Sequence, residues 1–462
     1  MELKGKRVLV LGLGETGLSM ATWLARHGAS VRIADSRPHP PSAATVRAAL
    51  PGVALHLGGW QDASFEGIDL IAISPGIPRE TAQVSRAISS GIPVIGDIEL
   101  FARALPLQDR PQVIAITGTN GKSTVTALAG AMCRAAGLDC AVAGNISPAV
   151  LDAWSAREAS GKAADVWVLE LSSFQLESTE SLDPDAATML NLTEDHLDRH
   201  GSMREYGAAK ERIFAGSGLQ VLNRDDPASM AMARPGRPCM TFGAGAPTAG
   251  GDFGLVRADG DLWLAQGESL LLPVQAMQLA GMHNATNALA ALALCRAIGL
   301  PYQPLLNALC RFKALPHRVE LVGDAQGVRF FDDSKGTNVG STVAALSGLA
   351  GAARQGSKVV LIAGGEGKGQ DFSPLQDAVA RAARAVVLIG RDAEVIAAAI
   401  AKSGVPLLRA DSMQSAVALA AAQATQGDAV LLSPACASFD MFKNYVHRGE
   451  VFRDAVKELT RV

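Results

Sequence analysis

Gln112-Val-Ile-Ala-Ile-Thr-Gly-Thr-Asn-Gly-Lys-Ser-Thr124 decides how this chain is read. An apolar strand runs into a glycine-bearing turn, and an Ala-rich helical stretch follows. Backbone N–H groups in such a turn, at the start of a helix, cradle phosphates. Lys122 can reach the β- and γ-phosphates, and the Ser123 hydroxyl can coordinate Mg²⁺. The turn is a close variant of the strict phosphate-loop pattern, because Ile116 stands five positions before Gly121 and the first glycine is Gly118.

Two more strands lead into glycine-rich turns, Arg7–Gly14 and Lys358–Gly364. Alternating strand and helix patterns follow each one, so parallel sheets flanked by helices are expected. The predicted class is α/β with three domains: Rossmann-like, phosphate-loop ATPase-like, and Rossmann-like again. Proline-bearing polar seams at Leu105–Pro111 and Lys313–Arg318 put the boundaries near 108 and 314, giving 1–108, 109–314 and 315–462. Asn223–Gly267 reads as loops and short strands decorating the middle domain.

Composition narrows the function classes. The 462 residues carry 42 Lys and Arg against 45 Asp and Glu, without the basic excess that sequence-independent nucleic-acid binding needs. No uninterrupted apolar run of about 18 residues predicts a membrane span. Six scattered cysteines with no CxxC pair read as reduced thiols, so a cytoplasmic protein is expected. Charge and the lack of an apolar patch motif fit a monomer.

Gly12-Leu-Gly14-Glu-Thr-Gly17 is a complete GxGxxG between a strand and a helix, and Asp35 ends the next strand. That context reads as a site for a pyrophosphate, with the acid where a dinucleotide fold would hold a ribose. A tight turn needing glycine only for packing is the bland alternative. The motif does not separate NAD, FAD and UDP-sugars.

Asp165-Val-Trp-Val-Leu-Glu170 is an apolar strand ending in an acid, where a second Mg²⁺ ligand would sit beside the phosphate loop. A helix is expected from about Met203. On it Tyr206, Lys210, Ile213 and Phe214 share one face, so Lys210 falls within an apolar stripe. A buried ammonium is costly. Either the Lys210 head snorkels to water, or a neutral amine takes up CO₂ and acts as a carbamate that holds metal with His196. His196 reads equally well as a structural residue.

Gly118–Thr124, Glu170-Leu-Ser-Ser173, Asp195-His-Leu-Asp198, Ala209-Lys210, Gly281-Met-His-Asn-Ala-Thr-Asn287 and Pro316-His-Arg318 together resemble the Mur ligases. Asp332-Asp-Ser-Lys-Gly-Thr-Asn338 and Ser433-Pro-Ala-Cys-Ala-Ser-Phe-Asp440 look more specifically like the D-glutamate-adding branch. So does Gly12–Gly17 with Asp35-Ser-Arg37. The resemblance spans essentially the whole chain. It implies an ATP-dependent acid–amino-acid ligase of peptidoglycan precursor synthesis, acting on UDP-N-acetylmuramoyl-L-alanine and D-glutamate through an acyl phosphate.

Residue by residue, the resemblance implies that Gly14, Thr16, Asp35, Ser36, Arg37, Gly76 and Asn145 lie near the UDP-linked substrate. It implies that Gly118, Thr119, Asn120, Gly121, Lys122, Ser123, Thr124, Asn284, Arg318 and Asp333 hold ATP. Two Mg²⁺ ions are implied, one on Ser123 and Glu170, the other on His196 and carbamylated Lys210. Lys335, Thr337, Lys368, Ser438 and Tyr445 would receive D-glutamate, with Lys335 also among the catalytic set. The chain departs from the pattern at Ser147, Glu366 and Tyr445, and 152–164 looks like a small insertion.

A nicotinamide-dependent dehydrogenase accounts for Gly12–Gly17 but not for the phosphate loop, Glu170 or the third domain. A phosphate-loop switch protein leaves Lys210 and the third domain unexplained. A sister ligase taking L-alanine or a diamino acid is the nearest rival, and Lys335, Lys368 and Ser438 suit an acidic incoming side chain better.

Overall fold

The computed structural model describes residues 1–279, 281–352 and 356–460. Packing divides the chain into two compact units. One comprises Met1–Leu190, Gly207–Thr241 and Ala290–Leu305; the other comprises Asn191–Tyr206, Phe242–Leu289 and Leu306–Val462.

The first unit holds two parallel arrays. β1 (Arg7–Leu11), β2 (Ser30–Asp35), β3 (Ala54–Leu57), β4 (Leu70–Ile73) and β5 (Val94–Ile95) pair in the order β3-β2-β1-β4-β5. Leu9 and Leu11 alternate onto one face with Ile71 and Ile73, while Val8 and Val10 are just as buried on the other. Covering on both faces is why these strands read as continuous apolar runs. The order reverses between β1 and β4, and at such a switch the loops after the strands part to leave a crevice.

The second array is β10-β9-β6-β8-β7, parallel throughout, from β6 (Gln112–Thr117), β7 (Cys140–Gly144), β8 (Val166–Glu170), β9 (Ala186–Met189) and β10 (Leu219–Asn223). Residues 152–160, within the stretch expected to be a small insertion, form most of the helix Val150–Ser160 that crosses from β7 to β8. A parallel pair cannot be joined without such a crossover.

β11 (Cys239–Phe242) is short. In the second unit, β12 (Phe253–Ala258), β13 (Asp261–Gln266) and β14 (Ser269–Pro273) form an antiparallel meander. Its first turn is Asp259-Gly260, with φ +52° and +86°, the mirror-image turn that tight hairpins favour.

β15 (Glu320–Ala325) and β16 (Val328–Asp332) form an antiparallel edge hairpin. β16 continues in parallel with β20 (Ala429–Leu432), β17 (Val359–Gly364), β18 (Ala383–Ile389) and β19 (Leu407–Arg409), in the order β16-β20-β17-β18-β19. One core, with Leu361, Leu375 and Ile396, covers one face. The other, with Val430, Val417 and Phe452, covers the opposite face. The α/β class with three mainly parallel sheets is as expected.

Candidate active site

At the β1/β4 switch a cavity of about 530 Å³ opens. Gly14, Thr16, Asp35, Ser36, Arg37, Gly76 and Asn145 all line it, together with Trp60 and Ser74. The sequence reading thus gathered seven residues from four separate stretches that the fold brings to one place.

The glycines differ in purpose. Gly12 needs its φ of +86°, and a Cβ at Gly17 would run into the Gly12 carbonyl oxygen, so both serve the turn. Gly14 and Gly76 have open space where a Cβ would be. Their bareness leaves room in the cavity.

Asp35 is engaged by its own loop and by the glycine turn after β1. Its Oδ1 accepts from the Arg37 N–H at 2.8 Å and Arg37 Nε at 2.9 Å. Its Oδ2 accepts from the Leu13 N–H and an Arg37 Nη, each at 2.7 Å. Burial opposes the charge, but the Arg37 guanidinium and the two backbone donors outweigh it and hold the carboxyl below its ordinary range. Both oxygens are committed, so the acid that would hold a ribose in a dinucleotide fold here fixes Arg37 on the cavity wall.

A second, smaller cavity of about 210 Å³ is lined by Glu15, Thr16, Pro75 and Asn145, all shared with the first, and by Gly144, Ser147, Ala149 and Gln175. Asn145 also donates through Nδ2 to Glu170 Oε1 at 2.7 Å, and its backbone N–H donates to the Glu170 carbonyl at 2.8 Å. Glu170 is 1% exposed at the end of β8, where Ile116 of β6 is its cross-strand partner.

β6 leads into the glycine turn as expected. Gly118 and Gly121 adopt φ of +148° and +85°, and Gly121 caps the helix Lys122–Ala135. Thr119, Ser123 and Thr124 are buried, and Asn120 is half-buried. Lys122 Nζ folds over the turn, donating to the Gly118 and Thr119 carbonyls at 2.8 Å each.

Lys210 lies on the helix Met203–Glu211, buried with Tyr206, Ile213 and Phe214, so its expected apolar stripe is real. At 1% exposure its head does not snorkel. Nζ donates to the Gly118 carbonyl at 2.8 Å and lies 3.4 Å from Thr117 Oγ1. His196 belongs to the other unit, at φ +55°, with Nε2 3.7 Å from Asp195 Oδ2.

In the second unit several of the remaining candidates follow the ends of three parallel strands. Asp333 and Lys335 follow β16, Lys368 follows β17, and Ser438 follows β20. An antiparallel bridge between Glu366 and Ala437 ties the last two loops. Glu366, one of the departures, pairs with Arg391 at 3.1 Å. Asp333 is buried, and burial pushes its carboxyl up to about 7 despite the Ser433 hydroxyl at 2.7 Å and the charge of Arg318. Burial and the Arg318 charge push His283 down to about 4, at the start of the helix that carries Asn284. Lys335 Nζ stands 5.5 Å over the Tyr445 ring, and the Thr337 N–H donates to the Lys335 carbonyl.

Sequence reading missed three contributors. Gln175 lines the smaller cavity. His317, at φ +62°, donates or accepts through Nδ1 at 2.7 Å with Asp332. Arg448, 1% exposed, donates to the Ser334 and Cys436 carbonyls at 2.8 and 3.1 Å and so pins the loops after β16 and β20. The Pro316-His-Arg318 motif contains His317, but the sequence reading gave a role only to Arg318. Nothing local marks an arginine in a C-terminal helix as buried.

Three family models match the chain: Mur ligase MurD-like, N-terminal domain over 6–96; Mur ligase middle domain over 116–295; and Mur ligase, glutamate ligase domain over 317–436. This chain belongs to the Mur ligase family, whose members are amide-bond-forming ligases. Within it, relatives named UDP-N-acetylmuramoylalanine--D-glutamate ligase include one from Nitrosospira multiformis, 56% identical over 99% of this chain and 97% of its own length. Another, from Methylobacillus flagellatus, is 55% identical over 100% and 99%. The fold also matches the solved UDP-N-acetylmuramate-alanine ligase of Thermotoga maritima, with TM-score 0.63 and 18% identity over 98% of this chain and 99% of that one.

Proposed function

We propose that this chain joins D-glutamate to UDP-N-acetylmuramoyl-L-alanine, using ATP and passing through an acyl phosphate, in peptidoglycan precursor synthesis. In this reading 1–108 binds the UDP moiety, 109–314 is the ATPase domain and 315–462 receives the amino acid. The enzyme works as a cytoplasmic monomer, where its nucleotide substrates are. The observation that carries the reading is the hydrogen bond from Asn145 to Glu170, which links the cavity at the β1/β4 switch to the strand end beside the phosphate loop. An acid held in the first can meet a triphosphate held by the second.

A carboxylate and an amine do not condense in water, so the acid must first be activated. The substrate carboxylate attacks the γ-phosphorus, ADP leaves, and the D-glutamate amine then attacks the acyl carbon and expels phosphate. Lys122, already aimed across the turn, neutralises charge on the transferring group. The buried Ser123 hydroxyl and Glu170 carboxylate are hard oxygen donors that suit Mg²⁺. His196 and carbamylated Lys210 would hold a second ion. When bound, the ions supply positive charge opposite the phosphoryl oxygens. A carbamate nitrogen keeps one N–H, so the Lys210 bond to the Gly118 carbonyl is compatible with modification.

Phosphate release with UDP-N-acetylmuramoyl-L-alanine and ATP, offering one amino acid at a time, tests the assignment. Release should require D-glutamate. Equal or faster release with L-alanine or a diamino acid would assign the chain to a sister activity.

A further inference from the structure

The Asp97 carboxylate is buried, 1% exposed, in the first turn of the helix Asp97–Ala104. It contributes to none of the candidate sets above. Its Oδ2 accepts from the Gln175 Nε2 amide at 3.0 Å. Gln175 is buried and lines the 210 Å³ cavity. The other end of that amide is also held: Gln175 Oε1 accepts from the Ser172 backbone N–H at 3.1 Å and lies 3.2 Å from its hydroxyl.

An amide side chain can turn over, exchanging its donor and acceptor ends. Here it cannot do so without loss. A turned amide would set its oxygen against the Asp97 carboxylate and its NH₂ against the Ser172 N–H, pairing acceptor with acceptor and donor with donor. The oxygen faces Ser172, and the NH₂ spends one hydrogen on Asp97. The remaining group is a single N–H donor.

We propose that Asp97 is a positioning residue that locks Gln175 so that it presents an N–H donor, never an acceptor, to the smaller cavity. There it reads an oxygen acceptor on the non-nucleotide part of the UDP-linked substrate. This rests on the proposed function, in which that substrate fills both cavities. It accounts for a carboxylate at a buried position where an apolar residue would pack with less desolvation cost.

Steady-state kinetics of Asp97→Leu, Asp97→Asn and Gln175→Met, each varying one substrate at a time, test it. Asp97→Leu and Gln175→Met should each raise KM for the UDP-linked substrate about tenfold, the scale of one lost hydrogen bond in a dry site. KM for ATP and D-glutamate and the value of kcat should stay close to wild type. Asp97→Asn keeps an acceptor for Gln175 and should stay within about threefold. The double variant Asp97→Leu/Gln175→Met should be no worse than either single one, because both remove the same N–H. Unchanged KM in folded Gln175→Met would overturn the proposal. So would a parallel loss for all three substrates in Asp97→Leu, or an Asp97→Asn as impaired as Asp97→Leu. Wild-type enzyme with no phosphate release on the UDP-linked substrate would refute the assigned reaction instead.

Discussion

In the proposed reaction, single residues divide into those that would act on the phosphate chain, those that leave room and those that orient others. Lys122→Ala removes the cation that folds back from the helix start over the glycine turn, so kcat should fall by about a thousandfold or more while the circular dichroism spectrum stays native. Near-normal turnover would eliminate the mechanism. Gly14→Leu has no backbone strain to resolve, since φ is −88°, and its Cβ meets nothing within 4 Å. The variant should keep its melting temperature and lose affinity for the UDP-linked substrate by at least about tenfold, measured by calorimetry. Unaltered affinity would mean the 530 Å³ cavity is not the site. Asp97 gives a pH signature. Burial lifts its carboxyl to about 6 in the fold, above its unfolded value. Between the two the folded state holds a proton that the unfolded state has released, so the Asp97 contribution to stability is fully present below its unfolded value and is lost as pH rises through about 6. Asp97→Asn removes that decline, and its gain in melting temperature over wild type should be larger at pH 8 than at pH 4, by calorimetric scans. The phosphate-loop residues and the Gly12–Gly17 turn were legible because local pattern dictates them, whereas Gly76 came only with the family resemblance. Asp97 and Gln175 were not, because they lie 78 positions apart and only folding makes them partners.

At the scale of elements, the helix Met203–Glu211 shows what periodicity can and cannot tell. The spacing of Tyr206, Lys210, Ile213 and Phe214 put a lysine on a buried face, and the face is buried. Periodicity could not say where its head goes, because the Gly118 carbonyl belongs to an element 92 residues away. Lys210→Met replaces a buried ammonium by an apolar chain of similar length, so the melting temperature should hold or rise while turnover collapses. Lys210→Ala should recover part of its activity when a short carboxylic acid is added to stand in for the carbamate. Absence of rescue in a folded variant would count against carbamylation. Asp35 makes the complementary point: the strand that carries it was plain, yet its commitment to Arg37 and Leu13 was not, since a carboxylate two residues from an arginine signals nothing by spacing alone.

For the whole molecule, three strand-to-glycine turns were enough to anticipate three parallel sheets, because parallel strands demand crossovers and leave their ligand crevices at one end. The antiparallel β15 edge and the β12–β14 meander were less legible, although Asp259-Gly260 and Gln326-Gly327 mark their turns, each residue at positive φ. The three sheets make sense together if one supplies an acid, one a triphosphate and one an amine. The most direct test of that division is isotope transfer. UDP-N-acetylmuramoyl-L-alanine carrying heavy oxygen in its carboxylate is turned over with ATP and D-glutamate, and the released phosphate is analysed by mass spectrometry. One heavy oxygen per phosphate is the predicted result, because the acid itself must accept the γ-phosphoryl group. Phosphate free of label, with product still formed, would contradict the account.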